Sequence, residues 1–134
     1  MAATLVDSNV LLDYLTEDGD WSDWSAAMLV RATDTGTLAI NQVIFAETSV
    51  RFETIEDVDR ALPEDYFRRA ALPWEAAYLA GQIFAKYRRR GGTKTAPLPD
   101  FFIGAHAAVT GMTLLTRDAR RYRAYFPKLR IIAP

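Results

Sequence analysis

The chain has 134 residues with a net charge of −1, and its 50% apolar and 25% charged content is that of one globular domain with an ordinary core. Cysteine is absent, which excludes disulfides, thiolate nucleophiles and sulfur-ligated zinc. No apolar run approaches the roughly 18 residues of a membrane span, and Met1 to Thr4 lead into a strand pattern without a signal-peptide layout. We therefore expect one domain, residues 1–134, in the cytoplasm and without a membrane partner.

Strand and helix patterns alternate along the chain and predict an α/β fold, with a central, mostly parallel sheet flanked by helices. The predicted strands are residues 4–7, 38–40, a short edge strand within 67–72, 114–115 and 129–132. The predicted helices are one that Ser8 caps and the loop 17–20 ends, then 22–35, 41–51, 55–62, 73–90, 100–110 and a short Arg- and Tyr-rich helix after Asp118.

The charge is distributed unevenly. Residues 1–80 carry 15 acidic and 5 basic side chains, whereas residues 81–134 carry 2 acidic and 11 basic ones. The two acids of the basic part are Asp100 and Asp118. Isolated carboxylates among arginines are typical of a site that handles a polyanion near a metal, although a solvated helix face explains any single arginine equally well.

Four carboxylates stand where separate elements can bring them together: Asp7, Glu47, Asp100 and Asp118. Two of them close strand-like runs, and the carboxyl ends of parallel strands are where open sheets bind ligands. Glu47 falls on an apolar stripe with Val43 and Val50. Because an unpaired carboxylate is costly there, we expect a cation to meet it.

Each aspartate also stands at or near a predicted helix start, where capping of backbone N–H groups explains it alone equally well. Four converging carboxylates, however, raise one another's pKa and destabilise the fold unless a cation joins them. Oxygen ligands from several elements suit Mg²⁺ or Mn²⁺. We therefore expect such an ion among the four acids.

Missing residues disfavour other chemistries. His106 is the only histidine, which excludes a His–His ribonuclease and is more typical of a structural or exposed position. No glycine-rich nucleotide loop is present, because Gly91-Gly92 lacks the P-loop and Rossmann spacings.

Four segments carry a family likeness in order and spacing: 6–12 (VDSNVLL), 41–47 (NQVIFAE), 98–107 (LPDFFIGAHA) and 114–118 (LLTRD). With them the chain resembles the PIN-domain nucleases, and in particular the VapC-type toxins of bacterial toxin–antitoxin pairs, over nearly its whole length. Asn41 departs from the pattern, because many relatives have Ser or Thr there, and we assign it no role.

The resemblance implies an endoribonuclease whose acidic metal site is Asp7, Glu47, Asp100 and Asp118. We expect Asp7, Asp100 and Asp118 to bind the metal, and Glu47 to be a ligand or to orient one. Without an acid–base pair to activate a ribose 2′-OH, the enzyme is expected to hydrolyse RNA phosphodiesters with water activated by metal ions. It implies Thr116 and Asn9 as polar support. It further implies a homodimer and a cognate antitoxin, whose tail would occupy a groove near the first two helices. Apolar surface is expected there from Tyr14, Leu15, Trp21 and Trp24.

Basic residues are expected to hold the RNA backbone: Arg88, Arg89, Arg90 and Arg117. The first three end a long helix, so complementing its dipole is the alternative for them. Two other functions stay open for the whole chain. One is a housekeeping nuclease that processes RNA without an antitoxin. The other is a nuclease-fold module that binds nucleic acid without turnover, which the full set of four acids disfavours.

Overall fold

Five strands form one parallel sheet in the computed structural model, which describes residues 3–17 and 19–134. Met1, Ala2 and, from the predicted loop 17–20, Asp18 lie outside the described residues. The strands are β1 (Thr4–Val6), β2 (Leu38–Ile40), β3 (Phe67–Arg69), β4 (Thr113–Leu115) and β5 (Ile131–Ile132). Their spatial order is β3-β2-β1-β4-β5, which confirms the predicted α/β architecture.

Helices connect the strands and flank the sheet. Within the described residues they are α1 (Ser8–Thr16), α2 (Ser22–Thr35), α3 (Gln42–Ser49), α4 (Ile55–Ala61), α5 (Trp74–Arg89), α6 (Pro99–Thr110) and α7 (Arg120–Tyr125). All seven correspond to predicted helices, with shifts of a few residues at their ends. In this part of the chain, none of them has both the length and the apolar character to cross a bilayer.

The start of α1 corrects one prediction. Asp7, not Ser8, is the N-cap residue, and its Oδ1 accepts a hydrogen bond of 2.8 Å from the Ser8 backbone N–H. The strand ends at Val6, one residue earlier than predicted, so Ser8 becomes the first helical residue. Its hydroxyl is therefore free to reach another element.

The predicted apolar stripe of α3 is also wrong in part. The buried residues of α3 are Ile44 and Thr48, and the helix ends at Ser49. Val50 lies beyond that end and is 78% exposed. Glu47 is half-buried on the side of the helix that faces α1, rather than within the core.

The core surrounds the central strand β1, in which all three residues are buried, as expected when helices cover both faces of a parallel sheet. Helix α6 contributes the buried Phe101, Ile103 and Ala105. Gly104 lets α6 approach α7 closely, because a Cβ there would lie 2.4 Å from Cε2 of the Phe126 ring. A side chain at position 104 would therefore push away the segment that carries α7.

A polar pair links α3 to α6 inside this core. Asn41 caps α3 by accepting a 3.0 Å hydrogen bond from the Ile44 N–H, and its Nδ2 lies 3.0 Å from Nδ1 of His106. Because an amide nitrogen only donates, Nδ1 of His106 must accept, and the ring is neutral. Burial lowers the pKa of His106, and nearby Arg68 adds to this shift. His106 is thus a buried structural residue that fixes the two helices carrying Glu47 and Asp100.

Candidate functional site

A cleft of about 680 Å³ opens at the carboxyl ends of β1 and β4. It brings together all four predicted acids, one from each of four different segments. The lining residues are Asp7, Ser8, Asn9, Glu47, Tyr87, Asp100, Asp118, Arg120, Arg121 and Tyr125. The position agrees with the general rule that ligands bind at the carboxyl edge of an open parallel sheet.

Asp7 is the buried acid of the cleft, with 4% of its surface exposed. Pairing of β1 with β4 aligns Val6 with Leu115, which brings the residues after both strands together. Oδ2 of Asp7 accepts hydrogen bonds from Thr116 Oγ1 and from the Tyr122 hydroxyl, each 2.9 Å long. Burial nevertheless raises the pKa of Asp7 above its usual range, because these donors do not replace full hydration.

Glu47 is met by a hydroxyl group rather than by a cationic side chain. Ser8 Oγ donates a 2.9 Å hydrogen bond to its Oε1. Partial burial raises the pKa of Glu47, and the charges of Asp7 and Asp100 raise it further. No lysine or arginine in residues 3–17 and 19–134 forms an ion pair with Glu47. The cation expected there is therefore not supplied by a described side chain.

Asp100 and Asp118 pair with arginines of α7. Arg121 Nη1 lies 3.1 Å from Asp100 Oδ2, and Arg120 Nη2 lies 3.1 Å from Asp118 Oδ2. Hydrogen bonds from Arg120 lower the pKa of Asp118, whose side chain is 55% exposed. The cleft thus contains two acids whose pKa is raised, Asp7 and Glu47, and one, Asp118, whose pKa an arginine lowers.

The donor set of the cleft consists of carboxylate and hydroxyl oxygens, the ligands that Mg²⁺ and Mn²⁺ prefer. In the arrangement described for residues 3–17 and 19–134, no three acids come close enough to share one ion. Asp100 and Asp118 instead turn to Arg121 and Arg120. The chemistry of the residues fits a hard divalent cation, which would compete with these arginines for the two carboxylates.

The two predicted polar helpers connect the start of α1 to the segment after β4. Asn9 Nδ2 donates to Thr116 Oγ1 at 3.3 Å, and Asn9 Oδ1 accepts a 3.1 Å hydrogen bond from the Arg117 N–H. Thr116 is fully buried, and its own hydroxyl donates to Asp7. Both residues therefore fix the orientation of Asp7.

None of the four arginines predicted to hold RNA lines the cleft. Arg117 lies with its Nε 2.9 Å from Asp13 Oδ2 and its guanidinium 5.8 Å from the centre of the Trp21 ring. Arg88 donates to the Lys94 carbonyl at 2.9 Å. Arg90 lies over the ring of Tyr125, which does line the cleft, so this arginine is adjacent to it.

The structure adds site residues that the sequence analysis did not single out: Ser8, Arg120, Arg121 and Tyr122. Arg120 and Arg121 could have been identified from the sequence, since they follow Asp118 in the basic half of the chain. Tyr122 could also have been identified, because it lies one helical turn before Phe126, and a buried tyrosine needs a hydrogen-bond partner for its hydroxyl.

Comparison with known proteins identifies a family that the chain matches. The PIN domain model matches residues 4–127. VapBC2 from Rickettsia felis, solved bound to a promoter DNA fragment, is 15% identical with a TM-score of 0.71, covering 98% of both chains. VapBC-1 from nontypeable Haemophilus influenzae is 13% identical, with a TM-score of 0.72 over 98% of this chain and 97% of that chain.

A toxin–antitoxin complex from Klebsiella pneumoniae is 20% identical, with a TM-score of 0.63 over 96% of this chain and 95% of that chain. At these identities the solved structures establish a shared fold. No curated protein sequence matches the chain.

The raised pKa of Asp7 yields a prediction for the metal-free protein. Because its folded-state pKa lies above the unfolded value, ionised Asp7 destabilises the fold as the pH rises through that range. Asp7→Asn should therefore raise the free energy of unfolding at pH 7 in chelator, and this gain should vanish near pH 3, where Asp7 is protonated in both states. Urea denaturation at both pH values measures it.

Asp118→Asn is the matched control, because Arg120 lowers the pKa of Asp118 and its ionised form is favoured in the fold. This variant should show no gain at pH 7. A loss of stability in Asp7→Asn would contradict the prediction, because it would mean that the hydrogen bonds to Asp7 fully compensate for burying its charge.

Proposed function

Because this chain belongs to the PIN-domain family, a family of nucleases, we propose that it is a divalent-metal-dependent endoribonuclease and the toxin of a toxin–antitoxin pair. The observation that carries the proposal is the convergence of four acids from four segments on one cleft. A housekeeping RNA-processing nuclease is the second candidate. A module that only binds nucleic acid is third, since binding alone does not require a carboxylate cluster.

Asp7, Asp100 and Asp118 would hold Mg²⁺ or Mn²⁺, with Glu47 as a further ligand or an orienting group. When bound, such a cation supplies Lewis-acid chemistry: it acidifies water for attack on phosphorus and offsets charge on the leaving oxygen. The protein contributes orientation. Thr116 fixes Asp7 and Ser8 fixes Glu47, so two of the acids are positioned before RNA arrives.

The described residues offer no acid–base pair to activate a ribose 2′-OH. His106 is only 1% exposed and its Nδ1 is occupied by Asn41. Asp7 and Glu47 have raised pKa values, but as the innermost acids of the cleft they are the natural ligands of a cation. The nucleophile that fits this cleft is therefore water.

The product ends test this mechanism directly. Attack by water leaves a 5′-phosphate and a 3′-OH, whereas attack by the 2′-OH leaves a 2′,3′-cyclic phosphate and a 5′-OH. We expect the downstream fragment to be ligated without prior phosphorylation, and we expect cleavage to stop in chelator. Fragments with 5′-OH ends would refute hydrolysis by water while leaving the family assignment intact.

We expect arginines on two sides of the cleft to bind the RNA backbone. Arg120 and Arg121 line it directly and sit beside two of the acids. The run Arg88, Arg89 and Arg90 lies at the end of α5, with Arg90 against Tyr125 at the cleft wall. Arg117 would have to break its ion pair with Asp13 to reach a phosphate, so we expect it to contribute least to RNA binding.

Salt dependence separates these arginines. For single-stranded RNA, the slope of log affinity against log salt falls by about 0.7 for each phosphate that the protein no longer neutralises. Arg120→Gln with Arg121→Gln should flatten the slope by the equivalent of about two phosphates, and alanines at 88–90 by that of one or more. The exposed Arg31 of α2, which does not line the cleft, is the control. An unchanged slope in the 88–90 variant would assign that triplet to the helix dipole alone.

A groove on another face fits the proposed antitoxin. A cavity of about 470 Å³ is lined by residues from α1, α2, α4 and β3, including Tyr14, Leu29, Val30, Tyr66 and Phe67. Tyr14 was predicted for such a groove, whereas Leu15, Trp21 and Trp24 do not line this cavity. Leu29 and Phe67 are buried at its floor, whereas Tyr14, Val30 and Tyr66 are exposed and suited to the apolar face of a partner helix. The similar complex from Klebsiella pneumoniae, itself a toxin–antitoxin complex, supports an antitoxin as the partner. The homodimer remains part of the proposal.

Induced expression in a bacterial host tests the toxin assignment. We expect growth arrest with the wild-type chain and normal growth with Asp7→Asn, because that variant loses a metal-binding carboxylate. Co-expression of the protein encoded in an adjacent reading frame should relieve the arrest. Active RNA cleavage in vitro without arrest in the host would favour the housekeeping nuclease.

A further inference from the structure

The hydroxyl of Tyr122 lies between two of the acids. It is 2.9 Å from Asp7 Oδ2 and 3.3 Å from Asp100 Oδ1, although these residues come from the end of β1 and the start of α6. Tyr122 itself is on α7 and is 1% exposed. One buried phenol therefore connects two carboxylates that the chain supplies from distant positions.

The Tyr122 hydroxyl has only one proton to share between the two carboxylates, because a neutral phenol has a single O–H donor. Asp7 is at the shorter distance. Thr116 donates to the same Oδ2 of Asp7, and Ser8 N–H donates to Oδ1. A phenol is protonated at neutral pH, so the Tyr122 hydroxyl is a donor to these carboxylates.

Packing fixes the ring that carries this hydroxyl. The Tyr122 ring belongs to the hydrophobic core, and Phe126 on the next turn rests against Gly104 of α6. Side chains packed in a core sit in rotamer minima and interdigitate with their neighbours. The position of the hydroxyl is thus set by the core, independently of any group that enters the cleft.

We propose that Tyr122 is a positioning residue for the divalent cation: its hydroxyl holds the Asp7 and Asp100 carboxylates side by side, oriented to receive the ion. The inference rests on the proposed function, since it concerns the same cleft. Tyr122 does not contact RNA in this role. It acts through the two acids, as hydrogen-bond partners behind metal ligands commonly do.

The test measures Mn²⁺ affinity, by electron paramagnetic resonance of free Mn²⁺, for wild type, Tyr122→Phe and Tyr78→Phe. Phenylalanine keeps the packed ring and removes only the hydroxyl. Loss of a partner behind a metal ligand typically weakens affinity about 10- to 100-fold, and we expect this for Tyr122→Phe. Tyr78 is exposed on α5 and does not line the cleft, so Tyr78→Phe should bind Mn²⁺ as wild type does.

The outcomes separate the two levels of the proposal. If wild type binds no Mn²⁺, the proposed function fails and this inference fails with it. If wild type binds Mn²⁺ and Tyr122→Phe binds it equally well, only the role of Tyr122 is overturned. A purely structural hydroxyl would lower the melting temperature equally with and without Mn²⁺, whereas a positioning hydroxyl also reduces the stabilisation that saturating Mn²⁺ gives.

A measurement on the wild-type protein covers the case in which Tyr122→Phe does not fold. With ¹³C-labelled tyrosine, the ring carbon of Tyr122 that bears the hydroxyl should shift on addition of Mg²⁺, because both acceptors of its proton change their charge environment. An unchanged Tyr122 resonance at saturating Mg²⁺ would overturn the proposal.

Discussion

The Asp7 carboxylate is buried at the end of the central strand, and much of the surrounding structure serves to compensate for it. A charge removed from water is costly unless hydrogen bonds replace its hydration. Three donors do so, from the first turn of α1, from Thr116 after β4 and from Tyr122 on α7. Because each donor comes from a different element, the pairing of β1 with β4 and the docking of α7 both converge on this one group.

The same fold brings side chains from the acidic half and the basic half of the chain together in one cleft. The acidic half of the chain contributes Asp7 and Glu47, whose pKa values are raised. The basic half contributes Asp100 and Asp118 together with the arginines that pair with them. Among the described residues, two acids without a cationic partner therefore lie beside two that have one. Under the proposed function, the unpaired acids would attract a small cation and the arginines a polyanion.

A second buried contact supports this site from behind. Asn41 caps the helix of Glu47 and donates to His106 on the helix of Asp100. A serine or threonine at position 41 would cap the helix but lacks an amide to reach the histidine. The departure of Asn41 from the family pattern thus has a structural partner in the single histidine of the chain. Together they fix the relative position of two helices that each supply one acid.

Sequence periodicity determined the helices, the strands and the edge of the sheet at which the acids meet. This was possible because parallel strands end on the same side, so Asp7 and Asp118 are neighbours once the strands are recognised. The acid cluster could likewise be anticipated from residue types alone. The ends of the helices and strands were predicted less accurately. Because β1 ends at Val6, one residue earlier than predicted, Ser8 is a hydrogen-bond partner of Glu47 rather than the helix cap.

Only the tertiary structure decided which polar side chains meet those acids. Tyr122 is 115 residues from Asp7 in the chain, and Thr116 is 109 residues away. Contacts at such separations depend on how α7 packs against α6, which is set by the fit of Phe126 against Gly104. Arg117 turned to Asp13 for the same reason, since the direction of a long side chain depends on the nearest charge that folding brings to it. Local sequence patterns carry no record of such neighbours.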